Sequence, residues 1–175
     1  IIVTGHTGFK GSWLTAWLKQ LEANVMGISL DPPTNPSHFK ASKINQDIKD
    51  KFNALAIKQP TWNTSIEIEG RNIEVVAIAK DLVWFSFTSV CCGPRSSRDY
   101  VEIANCFHTI ILSVVPVFTV ENEDQARRFI SLIDELYDHH VNLIIVADAL
   151  PEDLYQGELL NFQFERTLSR ITQMQ

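Results

Sequence analysis

No apolar run in the 175 residues approaches the roughly 18 needed to cross a bilayer, so no membrane span is expected. Cysteine is scarce. Cys91, Cys92 and Cys106 are too few and too oddly placed for a disulfide framework, and a vicinal pair is not the C-x-x-C spacing of zinc or redox sites. His108, His139 and His140 complete no metal-ligand pattern, so no metal is expected, and the thiols are expected to lie buried in a reducing cytoplasm. The chain opens on Ile rather than Met, and its natural start is expected upstream. That opening, a strand pattern running into glycines, is not a signal peptide. The net charge of -6 offers no positive field for nonspecific nucleic-acid binding.

Arginine is missing from the first sixty residues. Up to Pro60 there are seven Lys, no Arg and four acids, a net +3; from Thr61 there are one Lys, seven Arg and seventeen acids, a net -9. So complete a switch points to two origins meeting near "AIKQPTWNTS". At 45% hydrophobic the chain has enough apolar mass to bury a core.

The opening "IIVTGHTGFKGSWLTAWL" joins a short apolar run, glycines at 5, 8 and 11, and a helical pattern. Trp13, Leu14, Trp17, Leu18 and Leu21 share one helical face. Ala23 and Asn24 close that helix, and "NVMGISL" reads as a second strand, giving parallel strands over 1–4 and 24–30. In such a β-α-β unit Gly5 turns the chain off the strand. Gly8 leaves room for a pyrophosphate, and Gly11 lets the helix pack close to the sheet. The spacing is not a P-loop, because Lys10 precedes Gly11 where the order must be Gly-Lys. Asp31, with Ser29 beside it, stands where a ribose-binding acid is expected.

These stretches, with "GISLDPPTNPSHF" and "INQDIKD", closely resemble the N-terminus of the CDP-glucose 4,6-dehydratases, extended short-chain dehydrogenases/reductases that hold NAD. The resemblance covers about residues 1–60. It implies that Thr4, Gly5, Thr7, Gly8, Phe9, Lys10 and Gly11 line a pyrophosphate. It also implies that Asp31 or Ser29 approaches the adenosine ribose and that Asp47 and Ile48 flank the adenine. NAD, a dinucleotide, is therefore the candidate cofactor. The departures are severe. The apolar strand due after Pro60 is replaced by "TWNTSIEIEGRNIEV". The family's Tyr-x-x-x-Lys is missing too: Ala104, Val141 and Leu159 follow Tyr100, Tyr137 and Tyr155 four places on.

Beyond residue 60, "SIEIEGRNIEVVAIAKDLVWFSF" alternates apolar and polar residues around Gly70-Arg71, as a hairpin over about 65–87 does. Trp84, Phe85 and Phe87 extend its β region. A helix is expected from an N-cap at Ser96 or Ser97, then a strand near 109–118. Next comes a strongly amphipathic helix with Phe129, Leu132, Ile133, Leu136 and Tyr137 on its apolar stripe. A strand at 141–147 and a closing helix over "FQFERTLSRITQMQ" complete the pattern. Buried strands separated by helices imply parallel crossovers. His139 and His140 read as cations favourable at a helix C-terminus.

About residues 66–175 are similar to the C-terminal part of the ZapE-like (AFG-type) ATPases of the AAA+ class. The matching stretches are "VWFSFTSVCCGPRSSRDYVEIANCFHTIILSVVPVF", "DQARRFISLIDELYDHHVNLIIVADALPEDLYQG" and "FQFERTLSRITQMQ". The family usually has Asp where Ser86 stands. Walker A and Walker B are not found in this chain, and the apolar strand before Ser113 carries no Asp-Glu pair for Mg²⁺. ATP is therefore not expected to be hydrolysed by this chain alone. Arg166 and Arg170, at i, i+4, either reach as arginine fingers to a γ-phosphate on a neighbouring subunit or pair with Glu165 and other surface acids.

The expected fold is α/β: a partial Rossmann β-α-β, a central β-hairpin and a further parallel strand-helix-strand unit, in two parts, 1–60 and 61–175. The expected function is that of a nucleotide-binding-type protein fused from two fragments and lacking a complete catalytic site. The alternatives are a dehydratase remnant and a ZapE-type interaction module. Expected partners are a dinucleotide, and a second copy or another protein.

Overall fold

The structure is a computed structural model; it describes residues 2–4, 14, 17, 18, 21, 26–28 and 38–174, with side chains from residue 46 onward and at 14, 17, 18 and 21. The chain divides into two compact units, Ile1–Ala54 and Leu55–Gln175. In the first, β1 (Ile2–Thr4) lies parallel to β2 (Met26–Ile28), with Val3 opposite Gly27. Leu14, Trp17 and Leu18 are helical, and of the face expected to pack Trp17 and Leu21 are each 62% exposed while Leu18 is half-buried. Helix α1 (His38–Leu55) follows. It is an element the sequence reading passed over, although Ile44, Ile48, Phe52 and Leu55 recur at helical spacing.

The second unit is built on a five-stranded sheet in the order β3-β4-β5-β6-β7. The hairpin of β3 (Thr61–Ile68) and β4 (Arg71–Ala79) turns on two residues, Glu69 and Gly70, both at positive φ (48° and 69°). That twist suits a two-residue turn between right-twisted strands, and it sets Ile66 opposite Ile73. A second tight turn, Lys80-Asp81, brings β5 (Leu82–Ser86) back antiparallel, with Ala79 opposite Leu82. Its strand partners β4 over three residue pairs and β6 (Thr109–Val115) over five.

The chain crosses from β5 to β6 through α2 (Phe87–Cys91) and α3 (Ser97–Cys106), and from β6 to β7 (Asn142–Ala147) through α4 (Glu123–Asp138). Both strand pairs are parallel, as buried strands joined by helices require. Phe87, expected in the β region, instead opens α2. Ser86 ends β5 by taking the Ser89 N–H on its side-chain oxygen at 3.3 Å, which diverts the backbone into a helical turn. At α3 the Ser96 cap holds: Asp99 takes the Ser96 N–H at 2.6 Å, closing a capping box. Strand β6 stops at Val115 rather than 118, and Phe118 bridges to Tyr155.

The core lies between the sheet and its helices. Ala126, Phe129, Ile130, Leu132, Ile133 and Leu136 of α4 are buried, each large side chain contributing on the order of 1.5–3 kcal/mol by leaving water. Tyr137, at the rim of that stripe, is half-buried. Phe118 and Phe129 meet with ring centroids 5.2 Å apart. Phe164 of α5 (Asn161–Gln173) stacks on Phe129 at 6.2 Å and on Tyr155 at 5.0 Å. This aromatic column ties the last helix to the sheet.

Candidate functional site

Chemistry in an open α/β sheet gathers at the C-terminal ends of its parallel strands. Here those ends present Ser86 on β5, Ser113 to Val115 on β6 and Ala147 on β7. The register shifts between Leu112 and Val115, so β6 carries one extra residue, and Val114 is 59% exposed at φ 62°. A β-branched residue in that region is strained, and the bulge is what holds it there. Ser113 is buried and takes the Trp84 indole N–H on its hydroxyl at 2.8 Å, so it anchors the strand end. Beside Ser86, an open cavity of about 660 Å³ is lined by Asn63, Thr64, Ser65, Glu74, Val75 and Val76.

A second cluster carries the arginines. On α5, Arg166 and Arg170 reach back to the acids of α4. Arg166 pairs with Asp134 and is 54% exposed. Arg170 sits 2.6 Å from Asp134 and 3.7 Å from Asp138, is 20% exposed, and lies 4.9 Å above the Tyr137 ring. Both pair with α4 acids rather than with Glu165. The two cations share one carboxylate because i, i+4 residues on α5 face the same turn of α4.

A third network pins the loop between β7 and α5. One oxygen of Glu123 takes the Tyr155 hydroxyl at 2.6 Å and the N–H groups of Glu158 and Leu159 at 3.2 and 3.3 Å. The Tyr155 oxygen in turn takes the Leu160 N–H at 2.8 Å. These donors, the Tyr155 hydroxyl first, hold the Glu123 carboxyl below the ordinary carboxylate value, against the opposing effect of desolvation. Nothing in the sequence reading singled out Glu123; its signal was its place in the first turn of α4.

Asp99 forms a fourth network under the hairpin. It is fully buried and takes a hydrogen bond from Arg71 at 3.0 Å, and Arg71 also lies 2.8 Å from its other oxygen. Arg71 spans the gap by donating to the Pro94 carbonyl at 2.8 Å as well, so the Arg95-Ser96-Ser97-Arg98 turn is braced from the sheet.

Most of the nucleotide residues read from the opening fall where the structure is not described. Gly5, Thr7, Gly8, Phe9, Lys10, Gly11, Ser29 and Asp31 lie outside the described residues, and Thr4 ends β1. Asp47 and Ile48 fall within α1, Asp47 exposed and Ile48 buried. The thiols are not all buried: Cys91 is, whereas Cys92 and Cys106 are exposed, and all three are free. Burial pushes the Cys91 thiol well above its ordinary value, with Cys92 adding to the effect. Among the described residues no group of three or more His, Cys, Asp or Glu is placed to hold a metal. The ring of His139 donates to the Glu135 carbonyl at 2.8 Å, capping the end of α4.

Most of this chain is similar in sequence to known proteins. The AFG1-like ATPase family matches residues 30–175. The cell division protein ZapE of Escherichia coli K12 is 40% identical over 122 residues, covering 70% of this chain and 32% of its own length. Lactation elevated protein 1 homolog B of Danio rerio is 31% identical over 158 residues, 71% of this chain and 31% of its own. CDP-glucose 4,6-dehydratase of Salmonella typhimurium is 56% identical over 45 residues, 26% of this chain and 12% of its own. No solved structure matches significantly. The chain thus spans about a third of the length of the ATPase-family relatives it matches.

The family overturns the cofactor expectation, which set NAD forward and ATP aside. The glycine turn behind NAD precedes the matched residues, and the dehydratase likeness is short. A missing Walker A in a chain a third as long as its relatives is no argument against ATP. With 146 of its residues, from 30 to 175, in the matched region, the chain belongs to the AFG1-like ATPases.

Proposed function

We propose that this chain works within an AFG1-like ATPase, with ATP as the nucleotide, and that Arg166 reaches the γ-phosphate of ATP held on a neighbouring subunit. The observation that carries this is the difference between the two arginines. Arg166 is about half exposed on its ion pair with Asp134. An exposed pair contributes only about 0–1 kcal/mol, so exchanging Asp134 for a phosphate costs little. Arg170 is held by Asp134 and by the Tyr137 ring and is four-fifths covered, which assigns it to packing. A guanidinium meeting charge that develops on a transferring phosphoryl group is worth orders of magnitude in rate. Phosphate release by the chain mixed with a P-loop-bearing member of the family tests this. The chain is expected to raise turnover, and Arg166→Ala is expected to abolish that rise without lowering Tm. An unchanged rise with Arg166→Ala overturns the reading.

The E. coli relative is named a cell division protein. A protein partner in that process, in the cytoplasm, is the client this reading assigns to residues 61–175. The 45-residue dehydratase likeness favours a separate descent for the opening of the chain, ahead of the family match that begins at residue 30. Intact mass measured beside the coding DNA tests whether one gene carries both parts; a mass that fits only one part overturns it.

A further inference from the structure

We propose that the outer edge of β7 is an interface between two copies of this chain, joined as antiparallel strands about a two-fold axis at Ile145. Among the described residues β7 ends the sheet, with β6 its partner on one side. The amides of Asn142 and Asp148 donate inward, to the carbonyls of His108 and Val115 at 2.9 Å each. Strand alternation therefore turns the N–H and C=O groups of Leu143, Ile145 and Ala147 outward.

The two edges of the sheet differ in protection. At the far edge, β3 carries Asn63 at φ 50° and alternates exposed Thr61, Asn63, Ser65 and Glu67. Such polar, irregular edges discourage pairing. Strand β7 reads Asn-Leu-Ile-Ile-Val-Ala, with no charge, proline or left-handed residue to interrupt it. An apolar groove of about 470 Å³ runs beside it, walled by Leu143, Ile145, Leu154, Ile171 and Met174.

Complementary hydrogen-bonding groups select the occupant, imidazole and amide at one end of the strand and carboxylates at the other. The N-terminal end of β7 is flanked by exposed His139 and His140 and by Asn142, whose amide lies 3.2 Å from the His108 ring. Its C-terminal end is flanked by the exposed acids Asp148, Glu152 and Asp153. One strand run antiparallel to itself sets each histidine end against an acidic end, twice by symmetry. Centring the axis on Ile145 pairs Leu143 with Ala147 and Asn142 with Asp148, and it uses all three outward residues. A two-fold axis perpendicular to the sheet also keeps both grooves on one face, where they join into a longer apolar trough. A six-residue strand and its groove make a small interface, so the dimer is weak and dissociable.

Light scattering of the full chain across a concentration series, with residue-resolved amide exchange, tests this. The mass is expected to double as concentration rises. The amides of Leu143, Ile145 and Ala147 are expected to slow with it, while those donated to β6 stay slow throughout. Ala147→Pro removes one outward N–H at an edge, where proline is tolerated, and is expected to hold the mass at one copy. Should that variant fail to fold, Asp148→Arg leaves the strand intact and removes the carboxylate acceptor that faces the partner's histidine end. It is expected to move association to several-fold higher concentration. A single-copy mass at every concentration overturns the proposal. So does a doubling that leaves the three amides fast, or one that persists unchanged in Ala147→Pro or Asp148→Arg.

Discussion

Gly157→Ala adds one methyl group where there is no room. A Cβ built there falls 2.5 Å from the Tyr155 hydroxyl oxygen and 2.6 Å from the ring carbon that bears it, and closer still to a carboxylate oxygen of Glu123. Neither atom is free to yield. The Tyr155 oxygen is held at both sides, by Glu123 at 2.6 Å and the Leu160 N–H at 2.8 Å, and the same carboxylate oxygen gathers the Glu158 and Leu159 amides. Forcing a methyl group into such a site costs about 1–3 kcal/mol. In a unit of this size that lowers Tm by roughly 3–12 °C. A double-mutant cycle isolates the cause. Tyr155→Phe alone removes the hydroxyl and two of its hydrogen bonds, a loss of about 1–2 kcal/mol. In that background the ring is no longer tethered, so the Gly157→Ala penalty is expected to fall to about half or less. Thermal or urea unfolding of the four proteins reads this directly. Strictly additive penalties, or a Gly157→Ala variant as stable as the parent, refute the reasoning.

Glu123→Gln should destabilise the chain at neutral pH. The folded state holds the Glu123 carboxyl below its ordinary value, so its stabilisation is present above the ordinary carboxylate range and is lost as pH falls through the lowered folded value. The gap in urea midpoint between parent and variant is expected to close on acidification; a gap that widens contradicts the assignment. Thiol titration of the native chain should modify Cys92 and Cys106, slowly because both thiols are raised above their ordinary value, and reach Cys91 only on unfolding. Ser86→Ala should cost about 1 kcal/mol by removing the α2 cap, whereas Ser86→Asp should stay within about 0.5 kcal/mol, because aspartate caps a helix as well as serine. Chemical unfolding compares the two.

The amphipathic elements were legible because their periodicity follows from burial itself. Helix α4 shows its stripe in Phe129, Leu132, Ile133 and Leu136, all buried, and the hairpin turn is marked by Gly70 between alternating runs. The crossing from β5 to α2 was not legible. "WFSF" is apolar on both sides of Ser86, and only the capping bond to Ser89 decides where strand gives way to helix. The Glu123 network was equally hidden, since its donors are the Tyr155 hydroxyl 32 residues away and backbone groups 35 and 36 residues away. The arginine spacing was visible, but the carboxylate they share lies 32 residues earlier, on Asp134. The nucleotide was misjudged for a different reason. The likeness to the ATPases was legible over 66–175, but the missing Walker motifs were weighed against ATP in a chain that spans only about a third of its relatives' length, while three glycines carried a strong local signal for NAD.

The most direct measurement is steady-state phosphate release from ATP by a P-loop-bearing AFG1-like ATPase, with and without this chain, in parent and Arg166→Ala forms. Stimulation by the parent, lost by at least tenfold in the variant while both remain folded, is the predicted result. No stimulation by the parent, or equal stimulation by both, contradicts it.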